Sequence, residues 1–211
     1  MTRRKRAEAR TRRAIRATLS TDMPPSRLRF LVSLAAFALA IGAPTLARAT
    51  DFTMDGSGGG QLSTWRGDAS AFGSLKLGLR FADLAGPYLL GRLGYGTVDE
   101  RMLTTIQLGA QLWLKFGKVR PYVRLGIEHS HEETLAEVRI EPGGALFGIG
   151  DGIRHRAGGE LGLGFDVPFH EAKSVQWFVG GDALASLYPD GTKGPVLYGG
   201  VAARLGFNYK L

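Results

Sequence analysis

The side chains with chemistry to offer gather in two short stretches. Glu128-His-Ser-His-Glu-Glu133 puts His129 and His131 two residues apart, on one face of an extended chain, with carboxylates close by. Imidazoles at i and i+2 can share a metal ion, and histidine is a general base near neutral pH. Gly150-Asp-Gly-Ile-Arg-His-Arg156 offers Arg154, His155 and Arg156 beside glycines, a set able to receive phosphate oxygens. Each stretch also has a plainer reading: a hydrated edge where strand pairing ends, and a glycine-containing turn leading into a strand. The plainer readings are preferred. His129, His131, Arg154, His155 and Arg156 are kept as surface-binding residues, with no catalytic residue, metal or cofactor assigned.

What positions these residues is a chain that alternates. From Phe72 onward it divides into segments of about ten residues with period two, which is the strand signal. FGSLKLGLRF sets Leu75, Leu77, Leu79 and Phe81 against Ser74, Lys76, Gly78 and Arg80. LLGRLGYGT, TIQLGAQLWLKF, YVRLGIEH, AGGELGLGFDV and VQWFVGGDALASL behave alike, and VAARLGFNYKL carries the rhythm to Leu211. That makes seven strands. An eighth is expected before residue 70, around Gln61–Trp65, although Gly58-Gly-Gly60 weakens its signal. The links at 83–87, 117–121 and 168–174 are short. Those at 67–70, 98–101, 130–154 and 188–195 are on average longer and more polar, so two sets of connections alternate, as at the two ends of a meander. The parity closes with a strand near residues 52–66.

The net charge of +8 would suggest a nucleic-acid or membrane-surface partner, but its placement removes that reading. Residues 1–49 hold eleven Lys/Arg against Glu8 and Asp22, which leaves residues 50–211 at −1. Arg27 and Arg29, the apolar run Leu31–Ile41 and Ala47-Arg48-Ala49 form a secretory signal with a cleavage site. Residues 1–22 are long for the basic part of such a signal, so Met23 is a second candidate start. The division expected is 1–49 leader and signal, and 50–211 an exported domain. It has no cysteine to staple it.

Alternation alone fits a soluble barrel with a greasy core as well as a membrane barrel with a greasy outside. The polar phase decides between them. It holds Lys76, Arg80, Arg92, Lys115, Arg124, Glu128, Glu160, Asp166, Asp182, Arg204 and Lys210, interspersed with glycines such as Gly78, Gly109, Gly126 and Gly164. On a wetted strand face such glycines would only weaken the sheet. Inside eight strands, small residues beside long charged ones fill the lumen. The expectation is an all-β, eight-stranded antiparallel up-and-down transmembrane barrel, its lumen charges paired into a plug because burying them unpaired is costly. Phe81, Tyr88, Phe116, Tyr122, Phe165, Trp177, Tyr188, Tyr198, Phe207 and Tyr209 lie near strand ends and are assigned to interfacial girdles.

The terminal strand, with Leu205, Phe207, Tyr209 and Leu211 in one phase, resembles the C-terminal assembly signal of bacterial outer-membrane barrels. Leu211 departs from the usual terminal Phe or Trp. Signal, rhythm and tail together resemble the small eight-stranded outer-membrane proteins of the OmpA-like and opacity-protein-like group, over about residues 52–211. The resemblance implies the outer membrane, contact with its lipids and lipopolysaccharide, and delivery by the barrel-assembly machinery. A monomer that binds no nucleic acid is expected, with a structural or surface-interaction role. A narrow pore is the alternative, and a lipid-modifying enzyme the third reading. For the last, His129 and Ser130 with a carboxylate resemble the His-Ser-Glu set of outer-membrane lipid A deacylases, but neighbours in a strand point to opposite faces.

Overall fold

A computed structural model describes residues 50–211, apart from 65, 141, 150–152 and 190–193. The signal segment and the Ala47-Arg48-Ala49 site lie outside the described residues. The strands are β1 (Thr50–Ser63), β2 (Ala69–Phe81), β3 (Ala85–Gly96), β4 (Arg101–Trp113), β5 (Arg120–Thr134), β6 (Arg154–Ala172), β7 (Val175–Tyr188) and β8 (Val196–Lys210). Two short helices, α1 (Leu135–Ile140) and α2 (Pro142–Phe147), lie between β5 and β6.

Every strand pairs antiparallel with the next, and β8 pairs with β1, so the sheet closes on itself. Closure explains why the rhythm runs to the end of the chain. Residues Tyr198 to Lys210 have β1 on one side, with Phe52↔Tyr209 and Gly60↔Val201 in register, and β7 on the other. A closed barrel leaves no sheet edge to satisfy in lipid.

The two faces differ in chemistry. Outward lie Leu77, Leu89, Ile106, Leu125, Leu163 and Leu205, all exposed, around a band of similar residues. Inward lie buried Lys76, Arg80, Arg92, Arg124, Glu160, Asp182 and Arg204. An apolar exterior around a charged, ion-paired interior is suited to lipid outside and protein inside, and it excludes a greasy ligand-binding core.

The eighth strand is longer than its sequence signal and begins earlier. β1 runs from Thr50 to Ser63, close to the range 52–66 that strand parity required, whereas the patterned stretch 61–65 catches only its end. Asp51, Thr53 and Asp55 point inward between Phe52 and Met54, a period-two signal the glycine run then hides. Through Gly56, Gly58 and Gly60 the outward positions carry no side chain, so pairing with β2 and β8 holds the strand where patterning is silent.

Three other boundaries differ. β6 passes Pro168, where a register shift before His170 absorbs the missing donor, and ends at Ala172. β3 begins at Ala85, taking in Gly86 and Pro87, which the turn at 83–87 was expected to hold. The 130–154 region is not irregular throughout: β5 runs to Thr134, α1 and α2 follow, and β6 starts at Arg154. At one end of the barrel the links are 82–84, 114–119 and 173–174. The first is a tight turn in which Ala82 and Asp83 both have positive φ and the Leu84 amide donates to the Phe81 carbonyl at 2.9 Å. The loops 64–68, 97–100, 135–153 and 189–195 lie at the other end.

Candidate functional site

Two groups of side chains stand out: an ionic network filling the barrel interior, and a histidine cluster at its loop end.

The network has a hub. Arg204 on β8 donates Nε to Asp55 Oδ1 at 3.1 Å and Nη2 to Asp55 Oδ2 at 2.8 Å. Its Nη1 donates to Asp166 at 3.0 Å and to the Tyr122 hydroxyl, and lies 3.8 Å from Asp182. Lys76 sits 3.3 Å from Asp55, donates to Gln111 at 2.6 Å, and lies between the Tyr88 and Tyr122 rings. Arg124 extends the chain of charges by pairing with Asp182 at 2.9 Å and Glu160 at 3.0 Å, and Arg92 meets the same Glu160 at 2.7 Å. A forked guanidinium offers two parallel hydrogen bonds to a carboxylate, which explains three arginines at these junctions.

Each end of the interior has its own ion pairs. Near the short turns Arg80 bonds Asp51, lies 3.2 Å from Asp83, and has the Trp113 ring beside it. At the loop end Arg101 joins Asp68 and Glu132, and Arg156 reaches Glu132 at 3.0 Å. Just inside that mouth, Leu103, Tyr188, Val196 and Tyr198 pack as an apolar collar. A cavity of about 10 Å³ lies between Arg92, Thr105, Ser130, Glu132 and Tyr198, among others, room for about one water.

Of the eleven polar-phase charges expected in the lumen, nine are inside. Lys115 is one exception: it lies beyond the end of β4, is exposed, and pairs with Asp83 at 2.8 Å on the outer side of the turn. Lys210 is likewise exposed and pairs with Glu171. Glu128 is inside but makes no ion pair among the described residues. Asp51, Asp55, Asp68, Arg101 and Glu132 were missed, and Arg156 had been assigned to the surface. Asp51 and Asp55 alternate with Phe52 and Met54, and Glu132 and Arg156 continue the inward phases of Glu128 and Glu160, so that signal was present. Asp68 and Arg101 sit at chain breaks, where no period can be read.

The girdle assignment is corrected in part. Phe116, Phe165, Trp177 and Tyr209 do face outward, with the Phe207 ring tilted against Trp177 at 5.5 Å. Tyr88, Tyr122, Tyr188 and Tyr198 are buried inside. Lumen glycines make room for them: a Cβ on Gly109 would lie 2.6 Å from the Tyr88 hydroxyl, and one on Gly126 2.8 Å from the same oxygen.

The surface-binding set also divides by strand phase. Arg156 is buried on Glu132, whereas Arg154 is exposed and 3.9 Å from it. His155 turns outward and meets His129 and His131. Ser130 points inward, its hydroxyl 3.1 Å from that of Thr105, so His129 and Ser130 lie on opposite sides of the wall and form no acyl-transfer pair.

No protein-family model matches the chain, and no curated protein matches it. Solved structures do. Neisserial surface protein A aligns at a TM-score of 0.50 and 15% identity, over 77% of this chain and 97% of that one. The fold is that of a small outer-membrane β-barrel. OprG from Pseudomonas aeruginosa aligns at 0.44 and 14%, over 78% of this chain and 97% of that one. Ail of Yersinia pestis aligns at 0.43 and 14%, over 78% and 99%.

Proposed function

We propose that this protein is an outer-membrane barrel with a structural and surface-interacting role, its interior closed by its own side chains. The observation that supports this is the Arg204 hub. Seven buried Lys/Arg (Lys76, Arg80, Arg92, Arg101, Arg124, Arg156 and Arg204) face eight buried Asp/Glu in the lumen (Asp51, Asp55, Asp68, Glu128, Glu132, Glu160, Asp166 and Asp182). A near-balanced, cross-linked interior gives a permeating ion neither a path nor a selective field. Eight strands leave width only for side chains. What the barrel offers to its surroundings is its loop end, above all the α1–α2 segment, presented to lipopolysaccharide or to external partners. The terminal strand with Leu205, Phe207, Tyr209 and Leu211 is the segment the barrel-assembly machinery would read. The protein acts as a monomer and without catalysis.

Two measurements test this reading. In purified outer membranes, the protein should migrate differently in detergent gels before and after boiling. Reconstituted into planar bilayers, it should stay electrically silent. A steady open level would replace the plugged barrel with a narrow pore for small solutes.

A further inference from the structure

Three of the four histidines of this sequence come together at the loop end of the barrel. His129 and His131 project outward from β5, and His155 on β6 is the in-register partner of His131. Ring centroids are 4.7 Å apart for His129–His131, 4.8 Å for His131–His155 and 5.5 Å for His129–His155. The His155 Nδ1 to His129 Nε2 distance is 3.3 Å, and one nitrogen from each ring lies within 4.8 Å of the others. From these positions we propose that His129, His131 and His155 form a binding site for a divalent transition-metal ion of the zinc class.

The chemistry follows from the donors. Three neutral imidazoles suit zinc, copper or nickel and not magnesium or calcium, which select oxygen. Zinc–nitrogen bonds of 2.0–2.1 Å in a tetrahedron place ligand nitrogens about 3.3 Å apart. The His129–His155 pair already stands at that separation, and side-chain rotation that closes the remaining distance, 4.8 Å at most, brings in the third ring. Three protein ligands leave a fourth position for water, and the exposed His129 and His155 place it on the outer surface of the barrel.

Two further observations point the same way. The His131 Nδ1 is buried and has no hydrogen-bond partner among the described residues, a state that coordination would resolve. Gly148, just after α2, has φ +69° and lies so close to the His131 ring that any side chain there would strike it. The turn therefore packs against the Nδ1–Cε1–Nε2 side of the ring and limits where it can turn. A bound ion would tie β5 to β6 where the strands leave the barrel, beneath the α1–α2 segment.

The test uses untagged, detergent-folded barrel titrated with Zn2+ by calorimetry, with Co2+ as a visible-band reporter of tetrahedral coordination. One equivalent should bind with release of protons at pH 6, where free imidazole is largely charged. H155A and H129A should each weaken binding at least tenfold. H170A, which removes the remaining histidine on the far part of β6, should leave it unchanged. Boiled and unboiled gel mobility shows whether each variant is folded. X-ray absorption of the zinc-loaded wild type, with nitrogen ligands near 2.0 Å, gives a readout independent of any substitution. Absence of saturable binding, or binding that survives H155A in folded protein, would overturn the assignment.

Discussion

Arg204 on β8 and Asp55 on β1, 149 residues apart in sequence, form a two-pronged ion pair across the seam where the barrel closes. The first and last strands are thus joined by side chains within the wall's interior as well as by their backbone ladder. The same guanidinium holds Asp166 and borders Asp182, so removing it strands several carboxylates at once. Arg204→Met should lower unfolding stability by about 3–5 kcal/mol, the range for breaking a buried pair from one side. Denaturant titration of the detergent-folded barrel measures it. Arg204→Lys should recover little, because an ammonium cannot make the fork.

Two buried glutamates should behave oppositely. Glu160 serves Arg92 and Arg124, and Ser186 donates to it at 3.2 Å. Glu128 is as deeply buried but makes no ion pair among the described residues. Glu160→Gln should cost about 3 kcal/mol by uncovering two guanidinium groups. Glu128→Gln removes a carboxylate that is costly to bury and should be neutral or stabilising. Thermal unfolding of the two variants side by side decides the point, and a larger loss for Glu128→Gln would refute it.

Gly109 faces the lumen, and a methyl group there would collide with the Leu125 carbonyl and the Tyr88 ring. Backbone cannot yield as a flexible side chain can, so Gly109→Ala should destabilise by about 1–3 kcal/mol. Refolding yield into detergent micelles should fall with it. Gly91, whose added Cβ would meet open space, is the control, and Gly91→Ala should fold normally.

The Asp83 carboxyl at the β2–β3 turn is partly desolvated, which alone would raise its pKa. The Lys115 hydrogen bond and the charges of Arg80 and Lys115 outweigh that and hold it below its ordinary value. A carboxyl with a depressed folded pKa stabilises above its unfolded value, near 3.9, and that stabilisation is lost as pH falls through the folded one. Asp83→Asn should therefore be less stable than wild type at pH 7, the difference vanishing at acid pH. The effect should be small and shrink in high salt, because the pair with Lys115 is exposed. Unfolding midpoints at pH 7 and below pH 3, with and without salt, give all four comparisons.

Strand period, turn residues and composition belong to the sequence, and they reach far here. The alternation of Leu75, Leu77 and Leu79 with Lys76, Gly78 and Arg80 determines a two-faced strand without reference to any other part of the chain. Repeated seven times between breakers, it determines the architecture, and the glycines beside charges determine which face is inside. β1 was only half legible, because Gly56, Gly58 and Gly60 carry no side chain to show a period and its pairing supplies the missing order. Position along the strand was equally silent about Lys115, which keeps the polar phase but falls where β4 has already ended.

The meeting of residues across strands was a tertiary decision. Nothing in the spacing of His129, His131 and His155 says that a 23-residue excursion from β5 through α1 and α2 returns β6 with His155 opposite His131. Register decides it, because a shift of one residue would have turned His155 inward and brought Arg156 out. The partners of Arg204 were hidden for the same reason. A sequence can say that a charge points inward, but only closure of the sheet decides which opposite charge it meets.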